Sequence, residues 1–85
     1  MQIYLVEGHT GEWGDYRRWN VRAFLRRQDA ECLVAHLNKI GNVGVKGLDC
    51  AKRQDVQRQL SLAGDPEAHT DYTGTRYFVS ELELI

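Results

Sequence analysis

One proline and two cysteines are all that the 85 residues hold of either type, and no apolar run approaches the length of a membrane span, roughly 18–20 residues. Cys32 and Cys50 are too few for a disulfide framework, and thiols in a cytosol stay reduced. The N-terminal MQIYLVEG has neither the basic flank nor the cleavage site of a secretory signal. The expected location is therefore the cytoplasm of the cell that makes the protein. Charge of one sign is also missing. The net charge of −1 argues against a general nucleic-acid binder. The sequence has no phosphate-cradling glycine loop, no nucleophile elbow and no HExxH. A body this small also has difficulty enclosing a substrate pocket. The expectation is a protein without catalysis, cofactor or metal.

What is present is ordinary in amount and uneven in placement. Hydrophobic residues make up 42% and charged residues 27%, as in common globular domains, and the length fits one domain over residues 1–85. Residues 1–16 carry Glu7, Glu12 and Asp15 for a charge of −3, residues 17–58 sum to +6, and residues 59–85 sum to −4. A basic middle between two acidic ends bears on partners rather than on fold.

The QIYLVE run suits a central strand, and Gly8, Gly11 and Gly14 then punctuate a loop. From Arg18 the pattern alternates. Trp19, Val21, Ala23 and Leu25 are expected in the core, with Arg18, Asn20, Arg22, Phe24 and Arg26 on the other side. Ala30, Leu33, Val34, Leu37 and Ile40 then recur at helical spacing up to Gly41. A second helix is expected over about 49–62, with Asp49 near its N-cap, an apolar stripe of Val56, Leu60 and Ala63, and Gly64 at its end. TRYFVSELELI closes the chain as a strand, with Phe78, Leu82 and Leu84 read as inward and Tyr77, Val79, Glu81 and Glu83 as outward. The expected fold is α+β in the order ββααβ: a three-stranded, mainly antiparallel sheet with two helices on one face. The first strand is expected in the middle.

Three constellations are candidates for function. GEWGDYRRWN, residues 11–20, gathers both tryptophans beside acids and arginines in a loop longer than most hairpin turns. Trp19 is accounted for by core parity. Trp13 either folds over the open end of the core or joins Tyr16 in a recognition tip. If the last strand runs antiparallel to the first, its leading loop reaches the same end. Glu12, Trp13, Asp15 and Tyr16 then share a pole with Asp71 and Tyr72, and with Glu7, His9, Asp65, Glu67 and His69. Such a pole suits a basic surface that normally holds phosphates. The alternative binding face is the stripe of Arg18, Arg22 and Arg26, neighboured by Tyr4 and Tyr77. It reads as a solvated face, a protein contact or an open sheet that stacks bases. Cys32 and His36, four apart on the outer side of the first helix, match none of the strong zinc spacings.

YLVEGHTGEWGDYRRWNVRAF resembles the opening of short proteins encoded by bacteriophages and prophages, which have a strand, a G-E-aromatic-x-D-Y loop and a strand containing V-x-A-F. DYTGTRYFVSELEL is similar to their final strand. Residue by residue, the resemblance singles out Gly11, Glu12, Trp13, Asp15 and Tyr16, then Val21, Ala23 and Phe24. What it implies is a phage accessory protein, and small proteins of that origin include inhibitors of host defence, anti-CRISPR proteins among them. The expected partner is a host protein or ribonucleoprotein complex, such as a CRISPR effector. No membrane contact and no direct nucleic-acid binding are expected, and the chain is expected to be a monomer or weak homodimer. The rival expectation is a small nucleic-acid-binding regulator that uses the arginine face.

Overall fold

A computed structural model describes residues 1–11, 16–41, 49–70 and 74–83, apart from the Cys50 side chain. Five elements follow one another: β1 (Gln2–Thr10), β2 (Arg17–Phe24), α1 (Arg27–Gly41), α2 (Cys50–Ala63) and β3 (Thr75–Glu83). The strands form one sheet in the order β2-β1-β3, and both pairings are antiparallel. This is the expected α+β architecture, with the apolar first strand in the middle. α1 crosses all three strands and α2 packs against α1. No helix among the described residues is long and apolar enough to cross a membrane.

The helix ends follow from local chemistry. Asp49 accepts a hydrogen bond from the Lys52 backbone N–H at 2.8 Å, satisfying a donor that the first turn of α2 would leave free. At the other end the Asp65 N–H returns to the Leu60 carbonyl at 3.0 Å, with Gly64 as the cap. Leu60 is fully buried and Val56 and Ala63 pack beside it, so the thin apolar stripe suffices to seat α2. Leu37 and Leu60 are each fully enclosed with Val6, Ala30, Ala68 and Tyr77 in the core. Burying one such leucine contributes about 1.5–3 kcal/mol. Gly41 lets α1 approach the sheet. A Cβ there would lie 2.6 Å from the Thr75 carbonyl oxygen.

Two readings of strand faces are corrected. The β1–β2 register slips between Val6 and Glu7: Val6 lies opposite Arg22 and Glu7 opposite Asn20, which leaves Val21 as an extra residue. A bulge of this kind inverts the period-two pattern beyond it. Trp19 faces the helices before the bulge, Val21 packs against the core at the bulge, and Phe24 does so after it. Ala23 and Leu25, expected in the core, are exposed instead, Leu25 by 70%. On β3 the faces are exchanged. Thr75, Tyr77 and Val79 turn toward the helices, and Phe78 turns outward.

A buried carboxylate explains the second exchange. Asp65 is 0% exposed, and its Oδ2 accepts from the Tyr77 hydroxyl at 2.7 Å and from Trp19 Nε1 at 2.9 Å. With its hydroxyl satisfied, tyrosine can serve as a core residue. Trp19 lies across Gly8, where a Cβ would come within 2.8 Å of the indole, and meets the Tyr77 ring edge-on at a centroid distance of 6.4 Å. The same strand is also held from outside the sheet. Asn38 of α1 accepts from the Tyr77 N–H at 2.7 Å and donates to the Tyr77 carbonyl at 3.1 Å. Its amide therefore stands in for a neighbouring strand on the β3 edge, a form of edge protection.

Candidate binding surface

The helices cover one side of the sheet, and the register defines the other. Cross-strand pairs on that open face are Ile3 with Leu82, Leu5 with Ala23 and Ser80, Glu7 with Asn20 and Phe78, and His9 with Arg18 and Arg76. Ile3, Leu5, Phe78 and Leu82 take no part in the core cluster. The open face is thus apolar toward the Ile3 end and aromatic and cationic toward the His9 end.

Its centre is an ion pair. Arg18 Nε and a terminal nitrogen reach the two Glu7 carboxylate oxygens at 2.9 and 3.0 Å, and the Ser80 hydroxyl donates to the same carboxylate. Such forked pairing is among the stronger hydrogen-bonded arrangements. It leaves Glu7 only 6% exposed on a face that no helix covers. Hydrogen bonding from Arg18 holds the Glu7 pKa below its ordinary value, against the opposing pull of burial and with help from Ser80 and the Arg18 charge. The same pair raises Arg18 further above its ordinary value. The guanidinium also lies 5.0 Å above the Phe78 ring, which shields the outward phenylalanine.

Beside this pair, His9 meets the Phe78 ring edge-on at 5.5 Å and the Tyr16 ring at 5.7 Å. Burial lowers the His9 pKa first, and the charges of Arg76 and Arg18 lower it further. Arg76 is exposed and has no ion-pair partner among the described residues. Sequence reasoning missed His9, Arg76 and Phe78 as neighbours of Arg18. The signal that finds them is strand register, which the bulge and the β3 faces concealed.

Of the first candidate set, Tyr16 is 47% exposed just before β2. Glu12, Trp13, Asp15, Asp71 and Tyr72 lie outside the described residues. The residues that bracket their segments do come together. Thr10 pairs with both Arg17 and Thr75, and its hydroxyl donates to the Gly74 carbonyl at 2.6 Å. The Thr75 hydroxyl lies 2.9 Å from both the His69 carbonyl and the Thr70 hydroxyl. Glu67 and His69 are exposed. Two acids expected at this pole are internal instead: Glu7 is engaged by Arg18, and Asp65 by Trp19 and Tyr77.

The alternative set does not form one face. Arg18 remains on the open side, whereas Arg22 follows the bulge and lies 5.1 Å above Phe24, which belongs to the helix side. Arg26 sits exposed in the turn before α1. Tyr4 packs against the core beneath Arg27, at 5.4 Å, and Arg27 also pairs with Glu81. Tyr77 is buried, and enclosure together with the Asp65 carboxylate raises its pKa far above the phenol range. Cys32 and His36 are both exposed on α1, as their helical phase predicted. Set against family models, curated proteins and solved structures, the chain matches none of them.

Proposed function

We propose that this chain is a non-enzymatic phage or prophage protein that binds a host defence complex and blocks its basic, nucleic-acid-binding surface, in the manner of an anti-CRISPR protein. The observation that carries this reading is the antiparallel pairing of Thr10 with Thr75, locked by the Thr10–Gly74 hydrogen bond. It brings the residues bracketing segments 12–15 and 71–73 to one end of the sheet. Those two segments supply Glu12, Trp13, Asp15, Asp71 and Tyr72, beside the exposed Tyr16 and Glu67. Carboxylates give such a contact its complementarity to a cationic groove, and indole and phenol rings give it anchors. The host complex is a ribonucleoprotein such as a CRISPR effector, met in the bacterial cytoplasm by a monomer or weak homodimer.

The test is loss of target-DNA binding by purified CRISPR effectors on addition of the protein. An effector that responds does so at near-equimolar protein, and combined Glu12→Lys, Asp15→Lys and Asp71→Lys substitutions abolish the effect. The rival reading, a nucleic-acid-binding regulator, has lost the joint face of Arg18, Arg22, Arg26, Tyr4 and Tyr77 on which it stood. It would be reinstated by a gel shift of nucleic acid with the protein alone, removed by Arg18→Glu and indifferent to the acidic substitutions.

A further inference from the structure

The His9 end of the open sheet face places Arg18, His9 and Arg76, which the docking role above leaves unused, beside Tyr16. Arg18, His9 and Arg76 occupy one cross-strand row, His9 paired in register with each arginine. Directly paired side chains on one face stand about 4.5–5.5 Å apart at Cβ, so three nitrogen-bearing groups crowd together on one surface. Glu7 neutralises Arg18 and fixes its position, and nothing among the described residues neutralises Arg76. Among the described residues the row therefore holds one charge without an ion-pair partner and one imidazole whose protonation burial opposes first and the two arginines oppose further. An anion is the species that relieves such a site. Aromatic surface flanks it, with Tyr16 half exposed and Phe78 partly so.

We propose that the open sheet face carries a nucleotide site, in which Arg76 and His9 hold a phosphate group, Arg18 backs it with fixed positive charge, and the Tyr16 ring takes the base. Arginine and histidine are suited to this because both present planar N–H donors to phosphate oxygens, and base-on-aromatic stacking is tolerant of sequence. A single local phosphate is compatible with a chain of net charge −1, where a long polyanion is not. The site shares Tyr16 with the proposed docking end but draws its charge from Arg76, His9 and Arg18, so loss of AMP binding in Arg76→Gln and loss of host-complex binding in the acidic triple variant are read separately.

Among the described residues, the groups that face His9 are Arg18 from β2, Tyr16 just before it, Arg76 and Phe78 from β3, and Glu7 two residues back along β1 and engaged by Arg18. Because Glu7 is already committed, a bound phosphate is the new negative charge in this set. Binding must then raise the His9 pKa.

The experiment follows the His9 ring resonances by NMR through a pH titration of the intact protein, alone and with AMP, inorganic phosphate, tetraglutamate, or a short single-stranded oligonucleotide with or without a 5′-phosphate. The expected result is an upward shift of the His9 midpoint with AMP. The oligonucleotide arms report whether a free nucleotide or a chain terminus is the better source. Arg76→Gln weakens AMP about tenfold, the loss of one charge-assisted hydrogen bond. Lys52→Gln, a charge on α2, changes nothing. Tyr16→Ala lowers AMP to the affinity of inorganic phosphate. An unmoved His9 midpoint at saturating AMP overturns the site, as does equal sensitivity to Lys52→Gln. Inorganic phosphate or tetraglutamate binding as well as AMP to the unsubstituted protein overturns the nucleotide assignment.

Discussion

Replacing Asp65 with alanine removes one acceptor from two buried donors. Trp19 Nε1 and the Tyr77 hydroxyl both end on Asp65 Oδ2, from β2 and β3 respectively. A hydrogen bond to a charged group contributes about 1.5–3 kcal/mol, so two suggest about 3–6 kcal/mol. Part of this is recovered, because the carboxylate itself is fully buried and its Oδ1 has no partner among the described residues, and an enclosed charge costs solvation. A net loss of about 2–4 kcal/mol is expected. A domain of this size holds roughly 4–13 kcal/mol in all, so the variant stands near the edge of stability. Tyr77→Phe keeps the ring and drops one bond, for about 1.5–3 kcal/mol. Urea unfolding followed by far-UV circular dichroism gives each value, and the double variant closes a cycle. The two changes should couple by at least about 1 kcal/mol. If Asp65→Ala lies within about 0.5 kcal/mol of the parent, or the two changes simply add, the clasp does not hold the sheet to the α2–β3 connection and the reasoning fails.

Further outcomes follow from the other contacts. Glu7 has a lowered folded-state pKa. The stability it contributes is therefore complete above the ordinary glutamate pKa and lost as pH falls through the folded value. The urea midpoints of Glu7→Gln and the parent should differ at pH 7, and the gap should shrink as pH falls below the ordinary glutamate range. A constant gap would contradict the pairing. Asn38→Ala strips two hydrogen bonds from the β3 edge and should cost about 1–3 kcal/mol while speeding backbone exchange at Tyr77. Unchanged exchange would show that the edge is not held there. Gly41→Ala forces a methyl group toward the Thr75 carbonyl and should cost about 1–3 kcal/mol, read as a lower thermal midpoint. A neutral result would mean that α1 can move away from β3.

Features set within a few residues were legible in the sequence. Asp49 and Gly64 bound α2 as side-chain capping and chain reversal demand, and Leu60 marked its buried side. The apolar β1 took the middle of the sheet. What escaped depends on partners distant in the chain. Tyr77 outranks Phe78 for the core because Asp65, twelve residues away, accepts its hydroxyl, while Arg18 and His9 cover the phenylalanine. A hydrophobicity ranking sees neither partner. The bulge at Val21 likewise left no mark in an alternating run, yet it moves Phe24 into the core and sends Arg22 away from Arg18. Glu7 read as a surface acid because its arginine lies on the neighbouring strand.

The functional account rests on the acidic, aromatic segments 12–15 and 71–73, whose bracketing residues Thr10, Arg17, Gly74 and Thr75 meet at one end of the sheet, and the salt dependence of binding tests it most directly. The dissociation constant for the responding effector, measured from 50 to 500 mM salt, should rise steeply for the parent protein, because exposed charges are screened within about 8–10 Å at physiological ionic strength. Glu12→Lys, Asp15→Lys and Asp71→Lys together should abolish binding at every salt concentration. Affinity that is indifferent to salt, or undiminished in the triple variant, would place the contact elsewhere on the molecule and contradict the account.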